Sequence, residues 1–373
     1  MGSGPKPRQS LTTLQAGRAV AASAVVLYHL NIAFFNTPAF FPEPFFSPFS
    51  MGYAGVEFFF VLSGFIILLV HQRDVGRPGT LKPFLIKRFR RVYPPLWVVL
   101  TGLVILYAVL PWGESADRDL LSVLQAFALT PARAEPLLGV AWTLRHEVMF
   151  YAFFAVLLIS RRVGGALMIV WFAGCCVSLM LSGPGGPERF PLSFVLSPYN
   201  LLFLGGMVAA RRYAAEATSR PLLILAVGLL LFFATGAQDI YAADPLPIGL
   251  RTLAYGVGAT LIVLGLAETE RGGLTAPGWL TYLGDASYAL YLVHIPVLSV
   301  AVRLLFASGL AETLPRWASF FGLFATALLA GVVFHALVER LLLRRLWAHL
   351  DRRRADRPRA EAASADPASA SSS

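Results

Sequence analysis

Arg18 and His29 are the residues near the start of the chain whose types and spacing suit chemistry. On an α-helix their separation makes three whole turns and about 20° more, so both side chains project from one face, about 16–17 Å apart along the axis. Arginine binds anionic groups, and histidine transfers protons near neutral pH. The pair therefore indicates a long ligand with an anionic head, and coenzyme A, with its phosphates and pantetheine arm, fits that description. The alternative is a snorkelling arginine and a structural histidine.

A second pair of candidates, Arg88 and Arg91, stands three positions apart, which makes the two side chains neighbours on one helix face. Such guanidinium pairs bind phosphate in bidentate fashion. Tyr93-Pro94-Pro95 follows and predicts that an apolar span begins there, because proline is tolerated in the first turn of a helix. The alternative is the positive-inside rule, which requires only some basic residues here, and Arg90 is assigned to that rule.

Ionisable residues inside apolar runs are costly and are therefore functional candidates. Glu147 lies at the depth expected for His29, which predicts that its carboxylate orients the imidazole and stabilises the cationic form. The alternative is an ion pair between Glu147 and Arg145 or another buried arginine. Glu57 and His294 are further candidates of lower specificity. No metal site is predicted.

The composition shows what kind of fold must position these residues. Hydrophobic residues make up 57% of the 373 residues and charged residues only 14%, unlike a soluble globular domain. A transmembrane helix needs about 20 mostly apolar residues. The sequence therefore predicts an all-α, polytopic membrane helix bundle of about ten spans. These spans are predicted at 14–35, 52–71, 92–111, 138–159, 165–182, 194–210, 221–238, 247–267, 279–306 and 318–341.

The basic residues predict the orientation of the bundle. The net charge is +10, but the Lys and Arg residues cluster in every other connection between apolar runs, which argues against nucleic-acid binding. This alternation places both termini in the cytoplasm. We expect a cytoplasmic segment over residues 1–13, a transmembrane domain over 14–345 and a disordered tail over 346–373, rich in Ala, Ser and Pro. The first apolar run has no convincing cleavage site and is interpreted as a retained anchor.

Two smaller features complete the pattern. The connection 37–50 interleaves four prolines with five phenylalanines, which indicates either an aromatic belt at the interface or a lid over an outward-facing pocket.

Cys175 and Cys176 are adjacent in an apolar run, so they are poor disulfide partners and are interpreted as small core residues.

Several stretches, in the expected order, resemble the membrane acyltransferase type 3 family. The first runs from Gln15-Ala16-Gly17-Arg18 to Tyr28-His29 and has the family's Arg, ten residues, His signature. The others are 55–65, Arg88-x-x-Arg91 before Tyr93-Pro94, 142–147, and Gly284-Asp285-Ala286-Ser287-Tyr288 followed by His294. The resemblance covers about residues 11–341. Several blocks in the same order identify a family far more specifically than any single block would.

The resemblance implies transfer of an acyl group, most often acetyl, from cytosolic acyl-CoA as co-substrate to a carbohydrate hydroxyl, with no permanently bound cofactor. It implies that His29 is essential, that Arg18, Arg88 and Arg91 handle the donor, and that Ser287 and Tyr288 belong to the site. Gln15 is similar to the exopolysaccharide-acetylating branch, so proteins of polysaccharide biosynthesis are expected partners. The expected location is the bacterial inner membrane, in contact with lipid.

Two mechanisms stay open at this point: His29 as general base in a ternary complex, or His29 as an acyl relay. The competing function is a transporter or flippase of a glycoconjugate, which also needs buried His, Arg and Glu. It predicts broken helices in symmetry-related positions, and the sequence shows no inverted repeat.

Overall fold

The structure, a computed structural model, describes residues 11–36, 40–110, 119–132, 136–181, 189–215 and 217–352. Helices dominate these ranges, which contain no β-strand. They are α1 Thr12–His29, α2 Gly55–His71, α3 Leu81–Val109, α4 Leu120–Ala128, α5 Trp142–Ile159, α6 Arg161–Leu181, α7 Leu192–Val195, α8 Asn200–Ala215, α9 Pro221–Tyr241, α10 Ile248–Arg271, α11 Gly278–Asp285, α12 Ser287–Ala307, α13 Leu310–Thr313 and α14 Arg316–Phe334. Two π-helical segments extend α1 and α14, over Leu30–Phe34 and His335–Leu343.

The predicted all-α polytopic membrane fold is confirmed. Within the described ranges, nine helices are long and apolar enough to cross a membrane. The first predicted span, α1, is not among the nine, because Gln15, Arg18 and His29 reduce its apolar character. Each of the other nine predicted spans corresponds to one of these helices.

The third span begins earlier than the sequence predicted. α3 starts at Leu81, so Pro94 and Pro95 lie inside the helix rather than in its first turn. The expectation failed because a helical stretch rich in basic residues precedes the apolar run without a break. Neighbouring helices in a bundle let membrane helices tolerate such interior prolines.

α1 lies at the centre of the bundle and packs against α2, α10, α11 and α12. Two glycines of neighbouring helices allow close approaches. A Cβ atom on Gly284 of α11 would lie 2.0 Å from the Gln15 carbonyl oxygen, and one on Gly55 of α2 would lie 2.5 Å from that of Ala21. These contacts fix α1, and with it Arg18 and His29, against the helices that line the site.

The aromatic connection after α1 is packed on protein over its described residues. The side-chain oxygen of Asn31, itself fully buried, accepts hydrogen bonds from the backbone N–H groups of Phe45 and Phe46 at 2.9 and 3.0 Å. The Phe41 ring stacks on Phe35 at 3.8 Å between centroids. Residues 37–39 lie outside the described residues, and the proposed lid role stays a prediction.

The C-terminal boundary and one cysteine differ from expectation. Helical structure continues from α14 through residue 352, so residues 346–352 are ordered, whereas 353–373 and 1–10 lie outside the described residues. The extension forms because residues 344–352 contain no proline or glycine. Cys175 is buried as predicted, but Cys176 is exposed, because adjacent residues on a helix point about 100° apart.

Candidate active site

Three cavities follow one another along α1, from Arg18 toward His29. A mouth cavity of about 430 Å³ is lined by Arg18, Arg91 and Tyr288 among others. These three residues also line a central passage of about 90 Å³. The passage in turn shares Val56 and Tyr291 with an outer chamber of about 630 Å³, which contains His29. The arrangement is a wide entrance, a narrow neck and a second wide space.

The mouth cavity is strongly basic. Five arginines line it: Arg18, Arg90, Arg91, Arg340 and Arg344. Two carboxylates, Asp285 and Glu339, line it as well, and Glu339 is hydrogen-bonded to His335. The excess of guanidinium groups over carboxylates makes this end of the series suitable for a polyanion.

Arg18 stands where the mouth cavity meets the central passage, and it is held from two sides. Its Nε donates to the Ser287 hydroxyl and its Nη1 to the Gln15 side-chain oxygen, both at 3.1 Å. Ser287 is fully buried and Arg18 is only 8% exposed. Tyr288 is fixed nearby, because its hydroxyl donates to the Val92 carbonyl at 2.8 Å. Ser287 therefore positions an arginine, which agrees with its place in the site.

The two arginines of the predicted pair, Arg88 and Arg91, have different surroundings. Arg91 lines both the mouth cavity and the central passage. Arg88 is not among the residues that line either cavity, and its guanidinium lies 5.7 Å from the ring centres of both Phe84 and Tyr151. Its Nε is buried without a hydrogen-bond partner in the described chain. Arg88 and Arg91 both lie near Tyr151, and their joint binding of phosphate stays a prediction.

His29 is paired with a second imidazole. His29 Nδ1 lies 2.9 Å from the Val25 carbonyl oxygen and 3.3 Å from His294 Nε2. His294 Nδ1 lies 3.1 Å from the Leu290 carbonyl oxygen. A carbonyl only accepts, so we assign the proton to Nδ1 on both rings. His29 Nε2 then keeps its lone pair, which is the form that a base or a nucleophile requires.

Glu147 does not orient His29. Its Oε1 accepts hydrogen bonds from the Ser63 hydroxyl at 3.0 Å and from the Tyr151 hydroxyl, and the residue lines the central passage. His146, one residue earlier, lines the outer chamber with His29. Adjacent residues on a helix point about 100° apart. The Glu147 side chain therefore faces the central passage, whereas that of His146 faces the outer chamber.

The outer chamber combines predicted candidates with residues that the sequence analysis did not single out, namely Tyr53, Tyr199 and Arg251. Glu57, a predicted candidate, is 1% exposed, and its Oε2 has no hydrogen-bond partner among the described residues. The aromatic residues around it are Tyr28, Tyr53, Trp142 and Tyr199, joined by Arg145, His146 and Arg251. The Tyr28 and Tyr53 rings meet edge to face at 5.5 Å, and Trp142 and Tyr199 at 5.0 Å.

Buried contacts hold the polar wall of this chamber. The Tyr53 hydroxyl donates to Asp239 at 2.7 Å, and Asp239 also pairs with Arg251. His146 Nδ1 lies 2.9 Å from the side-chain oxygen of the fully buried Asn200. Ionisable residues near the ends of apolar runs, Asp239 and Arg251, were the available sequence signal for this group.

Comparison with known proteins decides the family. A family model described as an acyltransferase domain matches residues 11–336. The chain belongs to the membrane acyltransferase type 3 family. Membership in this acyltransferase family confirms the predicted resemblance and identifies a multi-pass, membrane-bound O-acyltransferase. No solved structure matches the chain.

Three relatives illustrate the range of the family. The chain is 32% identical to the exopolysaccharide production protein ExoZ of Rhizobium meliloti, over 80% of this chain and 91% of that protein. It is 27% identical to the acyltransferase MdmB of Streptomyces mycarofaciens, over 80% of this chain and 82% of that protein. It is 36% identical to the peptidoglycan O-acetyltransferase OatA of Listeria monocytogenes, over 27% of this chain and 14% of that protein.

Proposed function

We propose that this acyltransferase moves an acyl group, acetyl foremost, from cytosolic acyl-CoA to a carbohydrate hydroxyl at the outer side of the bacterial inner membrane. The observation that carries the proposal is the series of cavities. A basic entrance leads through a narrow neck to a chamber that contains a histidine with a free ring nitrogen.

The donor fits the mouth cavity and the central passage by shape and charge. Its phosphates are polyanionic and suit the arginines of the mouth cavity. Its pantetheine arm is thin and suits the central passage, which is lined by apolar side chains such as Phe59, Leu62 and Ile66. The rise of α1 from Arg18 to His29, about 16–17 Å, is comparable to the length of that arm. The thioester then reaches the boundary of the outer chamber.

The acceptor fits the outer chamber by chemistry. Sugars present apolar C–H faces and a rim of hydroxyls, so they bind where aromatic rings and charged hydrogen-bonding groups occur together. The chamber offers Tyr28, Tyr53, Trp142 and Tyr199 for the faces, and Arg251 and Glu57 for the hydroxyls. The Glu57 carboxylate with its unused Oε2 is placed to accept a hydrogen bond from an acceptor hydroxyl.

His29 Nε2 supports two routes whose atoms balance. As a general base, it takes the hydroxyl proton while the sugar oxygen attacks the thioester carbonyl, and then returns the proton to the departing coenzyme A sulfur. As a nucleophile, Nε2 attacks the thioester carbonyl and expels the coenzyme A thiolate, which leaves an acyl group on a cationic imidazole. The acceptor hydroxyl then attacks that acyl carbon, the bond from carbon to Nε2 breaks to restore the neutral ring, and the hydroxyl proton is released to balance the thiolate charge. The hydrogen bond from His29 Nδ1–H to Val25 fixes the ring for either route. Release of coenzyme A before acceptor is added separates the second route from the first.

ExoZ is an exopolysaccharide production protein and OatA a peptidoglycan O-acetyltransferase, which supports a polysaccharide or another glycoconjugate as the acceptor and acetyl as the acyl group. Proteins of exopolysaccharide biosynthesis are the partners that this proposal implies.

The deciding experiment is mass spectrometry of cell glycans from strains with the wild-type protein, without it, and with His29→Ala, combined with a donor assay on the purified protein in lipid vesicles. We expect O-acetyl groups on a glycan only with the wild-type protein, and coenzyme A release from acetyl-CoA in vitro. Glycans with identical acylation in all three strains contradict the proposal. A glycoconjugate that changes its side of the membrane without a change in acylation supports a flippase instead.

A further inference from the structure

The last helix brings a tryptophan and an aspartate to Arg90 at the edge of the mouth cavity. Arg90 and Trp347 both line this cavity. The Nη1 and Nη2 groups of Arg90 donate to the two carboxylate oxygens of Asp351, at 2.8 and 2.6 Å. The same guanidinium lies 4.5 Å from the centre of a Trp347 ring. Arg90 is therefore held by a two-point ion pair and by an aromatic face.

This geometry is the one in which a guanidinium binds phosphate. Two anionic oxygens accept from the planar fork of Arg90, and a phosphate presents oxygens to the same fork. The indole of Trp347 stacks on the guanidinium and favours one orientation of its plane. The Asp351 carboxylate is not itself among the residues that line the mouth cavity, but it occupies the place on the Arg90 fork that a phosphate would take.

An unused hydrogen-bond donor lies beside the fork. Trp347 Nε1 is buried and has no hydrogen-bond partner among the described residues. A buried N–H group without an acceptor costs free energy, so a ligand oxygen at this place is favoured. This second observation is independent of the ion pair and indicates the same kind of ligand, one rich in anionic acceptor oxygens.

We propose that Arg90 and Trp347 form a subsite for a phosphate at the nucleotide end of the donor, and that Asp351 fills this subsite when no donor is bound. The inference rests on the proposed function, because it takes acyl-CoA as the donor. Arg18 and Arg91, which also line the central passage, then serve the phosphates nearer the pantetheine arm. The Asp351 side chain is 52% exposed, so its carboxylate can leave Arg90 for water at little cost.

The test compares two donors, acetyl-CoA and S-acetylpantetheine, which lacks all the phosphates. Arg90→Ala should raise the KM for acetyl-CoA by about threefold to tenfold and leave that for S-acetylpantetheine unchanged. Trp347→Phe keeps a ring and removes the N–H, so it should raise the same KM by a smaller factor. Asp351→Asn weakens the competing contact and should lower the KM for acetyl-CoA by about twofold to fivefold.

Two controls separate the subsite from general charge effects. Lys82→Ala removes one exposed positive charge from the same helix, outside the residues that line the mouth cavity, and should leave both KM values unchanged. Asp351→Asn introduced into Arg90→Ala should have no further effect, because the group for which Asp351 competes is gone. Equal effects of Arg90→Ala on both donors, or an increased KM in Asp351→Asn, overturn the proposal.

Failure of the proposed function is distinguishable from failure of the subsite. A wild-type protein that uses neither donor contradicts the proposed function, and titration with adenosine 3′,5′-bisphosphate then tests the subsite alone. Binding to the wild type that is weakened in Arg90→Ala supports the subsite. Equal binding to both proteins, or no binding to either, overturns it.

Discussion

At the scale of single residues, the reactivity of His29 is set by its hydrogen-bond partners. The Val25 carbonyl and His294 Nε2 both lie at the Nδ1 side of the ring, so the proton stays on Nδ1 and the lone pair on Nε2 faces outward. His294 is completely buried, which keeps this contact away from water. In the proposed reaction, His294 is therefore a positioning residue, and His29 Nε2 is the atom that acts as base or nucleophile.

Removal of the His29 ring tests whether His29 Nε2 acts as base or nucleophile. His29→Ala should reduce acyl transfer to background while the protein still inserts and remains stable, because the ring makes its bonds at the edge of the outer chamber. The measurement is coenzyme A release together with the melting temperature of the purified protein. His349→Ala, at an exposed histidine of the last helix, is the matched control and should keep full activity. Near-normal turnover in His29→Ala would refute the assignment.

The two arginines of the Arg-x-x-Arg element should have different effects on donor use. Arg91 lines the mouth cavity and Arg88 does not. Because a charge-assisted hydrogen bond contributes about 1.5–3 kcal/mol, Arg91→Ala should raise the KM for acetyl-CoA by roughly ten- to a hundredfold. Arg88→Ala should mainly lower stability, since Arg88 packs on Phe84 and Tyr151. Arg162→Ala is the control for general positive charge, and an unchanged KM in Arg91→Ala contradicts the donor assignment.

At the scale of elements, the position of α1 depends on how closely its neighbours approach. α11 crosses α1 where Gly284 faces the Gln15 backbone, and this contact precedes Ser287 by only three residues. Because Ser287 accepts the hydrogen bond of Arg18, the helix crossing and the arginine geometry are linked. The Gly284-x-x-Ser287 spacing is therefore explained by packing and by the site together.

A pair of glycines in one helix tests this link. Gly284→Ala places a Cβ atom 2.0 Å from the Gln15 carbonyl oxygen, so α11 must shift, and overpacking of this kind typically costs about 1–3 kcal/mol. We expect a lower melting temperature and a higher KM for the donor. A Cβ atom on Gly278, in the same helix, meets nothing within 4 Å, so Gly278→Ala should be neutral or slightly stabilising. Equal behaviour of the two variants contradicts the packing argument.

At the scale of the whole molecule, the proposed function requires the donor and the acceptor to bind on opposite sides of the membrane. The mouth cavity includes Arg340, Arg344 and Trp347 near the C-terminal end of the last helix. The outer chamber includes Ala132, Gly139 and Arg251, which lie in or next to connections that are predicted to face outward. In the proposed function, the acyl group crosses the membrane through the central passage, and coenzyme A stays in the cytosol.

The orientation of the termini tests this arrangement. Reporter fusions after Arg162, Arg212 and Arg352 should report the cytoplasm, and fusions at Pro44 and Asp244 should report the outer side, because basic connections remain inside. In vesicles of known orientation, acetyl-CoA should be consumed only when it is supplied to the cytoplasmic face. A C-terminal fusion that reports the outer side contradicts the cytosolic-donor proposal.

The sequence by itself determined the fold class, nearly all the spans and the family. Apolar runs long enough for a bilayer are a local property, and the ordered motifs are local as well, so both can be read without tertiary information. The spacing of Arg18 and His29 also predicted correctly that they would follow one another along a single helix.

The tertiary structure decided which residues meet around that helix. Depth in the membrane follows from position in a span, but rotation about each helix axis depends on packing, and a single residue turns a side chain by about 100°. For this reason Glu147 faces Ser63 and Tyr151, His294 lies beside His29, and Arg88 packs on Tyr151. The contact between Arg90 and Asp351 joins residues 261 positions apart, and only the path of the last helix back across the mouth cavity brings them together.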